Sequence, residues 1–175
     1  MQANEPDQAT VLDIARRVVA EAAPAEAPLF DAVADAYLER PSAFLSDTGS
    51  NDDMLGFGGL EAVSLVTPLV LGQVQVLCAQ AAAAGTPNAL VDIALKSVDH
   101  ATGAVGGNLI LWFLSRLLLS RGDVLKKVAV IPADQFAKIE QFVLDRMSGA
   151  VNEAQAEQIA TAILHAAGIR SDRHQ

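Results

Sequence analysis

The chain has 175 residues, of which 51% are hydrophobic, and a net charge of −9 from 21 acidic and 12 basic side chains. This length supports one domain around one apolar core. The acidic balance opposes binding to nucleic acid, where neutralisation of phosphates supplies most of the affinity. The mean hydropathy is +0.30 with only 5% aromatic residues, and much of it comes from alanine, which favours helices. We therefore expect an all-α protein.

The cellular compartment is predicted from the cysteine content and the first residues. Cys78 is the only cysteine, so no intrachain disulfide can form. The sequence MQANEPDQAT has neither the basic start nor the apolar stretch of a signal peptide. We expect a cytoplasmic protein, with conditional association with a membrane as the alternative.

The first predicted element is a helical hairpin over residues 10–40. In TVLDIARRVVAEAA, Thr10 is a candidate N-cap and apolar residues recur at helical spacing. LFDAVADAYLER predicts a second amphipathic helix that ends before Pro41. Its inward side chains are expected to be Leu29, Val33, Tyr37 and Leu38.

Residues 41–59, PSAFLSDTGSNDDMLGFGG, predict an acidic loop rich in glycine and serine. Gly56, Gly58 and Gly59 are a candidate hinge at its end. The tetrapeptide DTGS within it matches the signature of aspartic proteases. That chemistry needs two carboxylates on β-hairpin loops, and this single copy lies between helical segments. A turn is the better interpretation.

An apolar segment runs from Leu60 to Ala84, with Glu61 as its only charge. As a helix it would be about 37 Å long, against about 30 Å for the hydrocarbon core of a membrane. It therefore suits either the centre of a soluble bundle, which we favour, or a membrane span. A short strand over VLGQVQV is a further alternative.

Polar and small residues in this segment step by three or four along one narrow face. Such a stripe is typical of close helix–helix packing or of a wetted face in an assembly. Its members are Glu61, Ser64, Pro68, Gly72, Gln75 and Ala79.

A second apolar stretch covers residues 101–119, after the amphipathic segment NALVDIALKSVDHA. Its 19 residues are barely enough for a span, and the basic residues at and beyond its end fit the cytoplasmic side. These residues are also a candidate patch for anionic lipid or an acidic partner. They are Arg116, Arg121, Lys126 and Lys127.

Residues 132–168 predict a C-terminal helical hairpin. Pro132 suits the first turn of its first helix. Asn152 is a candidate N-cap and Gly168 a candidate C-cap of its second helix. With the hairpin over 10–40, it should flank a very apolar central helix pair over 60–121, giving a single helical domain of six or seven helices.

No catalytic, cofactor or metal site is expected. Cys78 lies in an apolar helix, where a thiol is inert. His100, His165 and His174 are far apart and none has the spacing of metal ligands. An enzyme would need a polar cavity among the helices, for which the candidates are Glu61, Gln73, Gln75 and Asn108.

The surplus of apolar residues instead predicts a face for a protein partner, a second copy or a membrane. We place this face on the two apolar segments. Its candidate residues are Val63, Val66, Leu69, Val70, Val74, Leu77, Leu109, Trp112 and Phe113.

Three segments together resemble small all-helical proteins of GC-rich bacteria that are linked to conflict or defence gene neighbourhoods. The segments are APLFDAVADAYLERP, LGFGGLEAVSLVTPLVL and ADQFAKIEQFVLDRM. The resemblance implies a non-enzymatic adaptor or effector and supplies no site residue. The alternative is a latent pore-forming effector, released by a change or cleavage in the 41–59 loop; a third is an enzyme.

Overall fold

The structure is a computed structural model of the chain. It describes residues 7–41, 66–85, 87–96, 108–120, 128–147 and 151–172. Several predicted features lie outside these residues. They are Val63, the glycines at 56, 58 and 59, the rest of the loop beyond Pro41, and the basic residues Arg121, Lys126 and Lys127.

Seven α-helices and two short strands occur among the described residues, which confirms the predicted all-α helical bundle. The helices are α1 Gln8–Ala22, α2 Phe30–Glu39, α3 Val66–Ala84, α4 Pro87–Lys96, α5 Leu109–Leu119, α6 Ala133–Met147 and α7 Glu153–Ala166. The strands are β1 Ala129–Ile131 and β2 Ile169–Ser171. A 3-10 turn, Ala27–Leu29, leads into α2.

Helix α3 packs against α1, α2 and α5. Val70, Val74 and Leu77 recur at helical spacing and are fully buried on its inner side. The segment VLGQVQV is helical throughout, so the alternative of a strand there is wrong. The apolar residues Val70, Leu71 and Val74 of this segment are buried on the inner side of the helix, where three other helices pack against it.

The start of α3 is capped by a side chain from the turn between α1 and α2. The carboxylate of Glu26 accepts hydrogen bonds from the backbone N–H groups of Val66 and Thr67, both at 2.8 Å, and from the Thr67 hydroxyl at 2.7 Å. A negative charge here also meets the positive end of the helix dipole. The first turn of α3 is therefore fixed by a residue 40 positions earlier.

Two local predictions in the first hairpin are wrong. Asp7, not Thr10, is the N-cap of α1, because its carboxylate accepts from the backbone N–H of Ala9. Thr10 is buried inside the first turn and donates its hydroxyl to Asp7. Leu29 lies in the 3-10 turn and is 50% exposed, and Phe30 takes the buried position in its place.

The second apolar stretch is not one continuous helix. Asn108 has an extended backbone, and its side chain accepts from the N–H groups of Ile110 and Leu111, so α5 begins at Leu109. Its 11 residues span about 16 Å, which is too short to cross about 30 Å of hydrocarbon. Among the described helices, only α3 is long and apolar enough to do so. Within it, 56% of the most apolar 18-residue stretch is buried inside the protein.

The C-terminal part is a hairpin of α6 and α7. Strand β1 precedes it in the chain, β2 follows it, and the two strands pair in parallel. Ala129 pairs with Ile169, and the N–H of Ala129 donates to the carbonyl of Gly168 at 2.8 Å. Nothing in the sequence pattern predicted this small sheet. Asn152 caps α7 as predicted. The C-cap is Ala167 and not the predicted Gly168, which follows it with φ +71°, a conformation that favours glycine.

Candidate interaction surface on helix α3

Most residues of the predicted partner or membrane face lie in the protein's own core. Six of them are buried: Val66, Val70, Val74, Leu77, Trp112 and Phe113. Leu69 and Leu109 are half-buried against that core. The buried six therefore offer no surface to a partner, because α1, α2 and the other helices already cover them.

Arg116 is not part of an exposed basic patch, since it is only 5% exposed. Its guanidinium donates to the carbonyls of Ala167 and Gly168, at 3.2 and 3.3 Å, and lies over the ring of Trp112. Burial lowers the pKa of this arginine. Its positive charge serves the C-terminal end of α7, where a helix presents unpaired carbonyls.

A different face of α3 is open to solvent, and we call it the α3 seam. It consists of Leu69, Gly72, Val76, Ala79 and Ala83. These residues step by three and four, which places them in one line along the helix, as in the seam of a coiled coil. Val76 is 47% exposed, Ala79 and Ala83 are exposed, and the first two members are half-buried.

The residues of α3 that flank the seam are neutral. Gln75 is exposed beside it and Gln80 is half-buried on the other side. No charged residue occurs in the sequence from Ala62 to Val91. Helix surfaces that face only water usually carry charged side chains, so this neutral exposed face is unusual for the longest of the described helices.

A cavity of about 460 Å³ adjoins the seam where α1, α2 and α3 meet. Leu12, Leu38 and Leu71 supply apolar walls, and Gln75 and Ala79 line both the cavity and the edge of the seam. Its remaining lining residues are Gln8, Val11, Tyr37 and Pro41. Ala79 is thus shared by the seam and the cavity, and the two surfaces adjoin.

Tyr37 is the buried polar residue of this cavity. It is almost fully buried, and burial raises the pKa of its phenol. A Cβ added at Gly72 would lie 3.3 Å from the Tyr37 hydroxyl oxygen. The glycine in the seam thus lets α2 approach α3 closely.

The polar residues considered for an enzyme do not come together. Gln75 lines the cavity beside the seam, whereas Asn108 caps α5. Gln73 is 8% exposed, and its side-chain Nε2 has no hydrogen-bond partner among the described residues. Glu61 lies outside the described residues.

Reactive and metal-binding groups are not gathered at this surface. Cys78 is fully buried, as predicted, and burial raises its pKa to about 12. His165 pairs with the carboxylate of Glu21 where α7 meets α1. Within the described ranges, no three His, Cys, Asp or Glu side chains are close enough to hold a metal ion.

The sequence pattern identified part of this surface and missed the rest. Gly72, Gln75 and Ala79 of the predicted small and polar stripe lie on the open side of α3, but Pro68 is buried. Val76 and Ala83 were missed because nearly every neighbour is also apolar, so hydrophobicity alone could not separate the two sides of the helix. No family model, curated protein or solved structure matches this chain.

Proposed function

We propose that the protein is a non-enzymatic helical interaction protein, an adaptor or effector, that binds a helix of another polypeptide on the α3 seam. The supporting observation is the neutral, partly apolar face of α3 that the fold leaves open. Exposed apolar surface next to a concave cavity is typical of binding sites.

The contrast with other exposed faces supports this proposal. On α1 and α2, Arg16 and Asp31 form an exposed ion pair. On α6, Lys138 and Asp134 are similarly placed. Such pairs are typical of helix surfaces that remain in water. The open side of α3 has glutamine, alanine and valine instead, which are compatible with burial against a partner.

The shape of the surface favours a helix as the ligand. The seam has the spacing with which one helix packs along another, and the adjoining cavity could receive one or two larger apolar side chains. An amphipathic helix laid in a groove is a recurrent mode of recognition. A role in a bacterial conflict or defence system is part of the proposal and rests on the resemblance of the three segments. The proposed cytoplasmic location rests on the single cysteine.

Site-specific photo-cross-linking in the producing cells tests this function. A photoreactive amino acid replaces Val76 in one variant and Val128, which is 56% exposed and precedes β1, in a matched control. We expect the probe at 76 to form an adduct that mass spectrometry maps to one helix of a defined polypeptide, and a charged substitution in that helix to abolish the adduct. No adduct at 76, or the same adducts from both positions, would contradict the proposal.

The latent pore-forming effector is the alternative, and the length and apolarity of α3 are the observation behind it. Insertion would require α3 to lose the Glu26 cap and to expose its buried valines to the surroundings during release. Dye leakage from vesicles that contain anionic lipid, measured before and after proteolytic nicking of residues 42–59, distinguishes the two. We expect no leakage in either state; leakage after nicking would favour the pore-forming effector.

A further inference from the structure

We infer that the helix bound by the α3 seam is α3 of a second copy of this chain. This inference rests on the proposed function and adds the identity of the partner. The α3 helices of two copies would pack face to face across a two-fold axis, so that each seam covers the other.

Charge is the first argument for a second copy. Each chain carries a net charge of −9, so two copies repel each other in most orientations. The repulsion is weakest where the facing surfaces contain no carboxylates, and the open side of α3 is such a surface. A basic partner would be attracted to the acidic protein as a whole, but it would find no carboxylate in the seam with which to pair.

Self-complementarity is the second argument. A two-fold interface brings each patch against itself, so its groups must match their own copies. Gln75 and Gln80 border the seam, and a glutamine amide contains both a donor and an acceptor. Gln75, one residue from Val76, can therefore pair with its own copy across an axis near Val76, which two lysines or two glutamates could not do.

The sizes of the seam residues favour an antiparallel arrangement. Leu69 is the largest member and stands at one end, whereas Ala79 and Ala83 are small and stand at the other. An antiparallel pair centred near Val76 places each leucine against the alanines of the other copy. Small residues let the helix backbones approach closely, and antiparallel helix dipoles attract each other.

The composition of the seam disfavours a lipid surface as its ligand. Helices that lie in a membrane interface usually combine aromatic or leucine-rich apolar faces with lysine and arginine at their borders. The seam has one leucine, no aromatic residue and no basic neighbour on α3. A contact with a neutral protein surface uses these residues better.

The expected dimer is weak. From Leu69 to Ala83 the helix extends about 21 Å, which gives an interface smaller than the roughly 800 Å² per partner of stable complexes. The dissociation constant should therefore lie in the micromolar range, roughly 10–500 µM. Concentration must be varied to observe the dimer.

Sedimentation velocity of the purified full chain from about 1 µM to 1 mM tests the inference. We expect reversible dimerisation that Val76→Glu weakens at least tenfold, because two carboxylates would face each other at the axis. Val128→Glu is the matched control and should leave the dimer unchanged. Circular dichroism should show that both variants are folded, since both positions are largely exposed.

Disulfide cross-linking tests the orientation. Leu69→Cys and Ala83→Cys chains, mixed and oxidised, should form a mixed dimer across an antiparallel pair, while Cys78 stays unreactive in the core. Leu69→Cys alone should cross-link poorly. Efficient cross-linking of Leu69→Cys to itself, without the mixed product, would overturn the antiparallel arrangement.

Three outcomes separate this inference from the proposed function. A monomer up to 1 mM would overturn the inference, and an adduct from position 76 to a different polypeptide would then still support the function. A dimer insensitive to Val76→Glu would overturn the inference in the same way. Binding to vesicles of phosphatidylcholine and phosphatidylglycerol by a monomer, lost in Val76→Glu, would overturn both.

Discussion

Helices α3 and α7 are both buried along one side, yet their ends and outer sides differ. Helix α7 has its own cap, Asn152, and an outer side with Glu153 and Glu157. Helix α3 takes its cap from Glu26 in a distant turn, and its outer side has no charge. The comparison shows that α7 has a local cap and a charged side in water, whereas α3 is held by a distant cap and leaves a neutral side exposed.

The largest expected effect separates the two sides of α3. Val74→Asp places an unpaired carboxylate among fully buried side chains and should cost at least about 4 kcal/mol, enough to unfold a domain of typical stability. Val76→Asp, two residues away on the open side, should cost no more than about 1 kcal/mol. Urea denaturation followed by circular dichroism measures both. Equal losses would contradict the assignment of inner and outer sides.

The remote cap of α3 is the next comparison. Glu26→Ala removes three hydrogen bonds to the first turn and leaves the buried Thr67 hydroxyl without its acceptor. We expect a loss of about 2 kcal/mol in the free energy of unfolding. Glu39→Ala, at an exposed position, is the control and should change stability by less than about 0.5 kcal/mol. Indistinguishable variants would show that the cap does not hold α3.

The end of α7 is tested by Gly168→Ala. The positive φ of Gly168 disfavours any residue with a Cβ, and that Cβ would lie 3.1 Å from Nη2 of the Arg116 guanidinium. We expect a loss of about 1–2 kcal/mol. Gly85→Ala is a matched control, because its Cβ would make ordinary contacts with Leu90. Thermal unfolding of the two variants should show the difference in midpoint.

The smallest expected effect is a pH dependence from the buried side of α3. The pKa of the Cys78 thiol is raised from 9.0 to about 12, so above pH 9 the unfolded chain loses a proton that the folded chain keeps. The contribution of the buried thiol to the free energy of unfolding is fully present below pH 9 and is lost as pH rises from 9 to 12. At pH 10 the loss is about 1 kcal/mol.

The Cys78→Ala variant isolates that contribution. Its unfolding free energy should fall less between pH 8 and pH 10 than that of the unsubstituted chain, whatever its stability at pH 8. Urea denaturation at the two pH values supplies the comparison. Parallel losses in the two proteins would contradict a buried, neutral thiol.

The sequence predicted those features that depend on neighbouring residues. Asn152 is the N-cap of α7, and local rules for caps identified it. The same rules located the C-terminal end of α7 to within one residue, since Gly168 follows the C-cap Ala167. The all-α class and the burial of Cys78 followed from helical spacing and from the absence of charge.

Features set by distant contacts could not be predicted in this way. Glu26 looks like an ordinary residue of a turn, and only the folded chain brings it to Val66. Asn108 interrupts the second apolar stretch as the N-cap of α5, although apolar residues stand on both sides of it in the sequence. The sequence alone predicts a surface charge at Arg116, because its partners are backbone carbonyls, which no sequence pattern indicates.

The packing of α1 against α7 has a consequence for the order in which the protein can fold as it is made. Arg17 donates to the carbonyl of Ala166, 149 positions later in the chain, and Glu21 pairs with His165. At typical translation rates, roughly 7–30 s separate the synthesis of these two ends of the contact. During that interval α1 lacks the contacts with α7 that it makes in the finished protein, so the side of α1 that faces α7 stays uncovered by it on the ribosome until α7 is made.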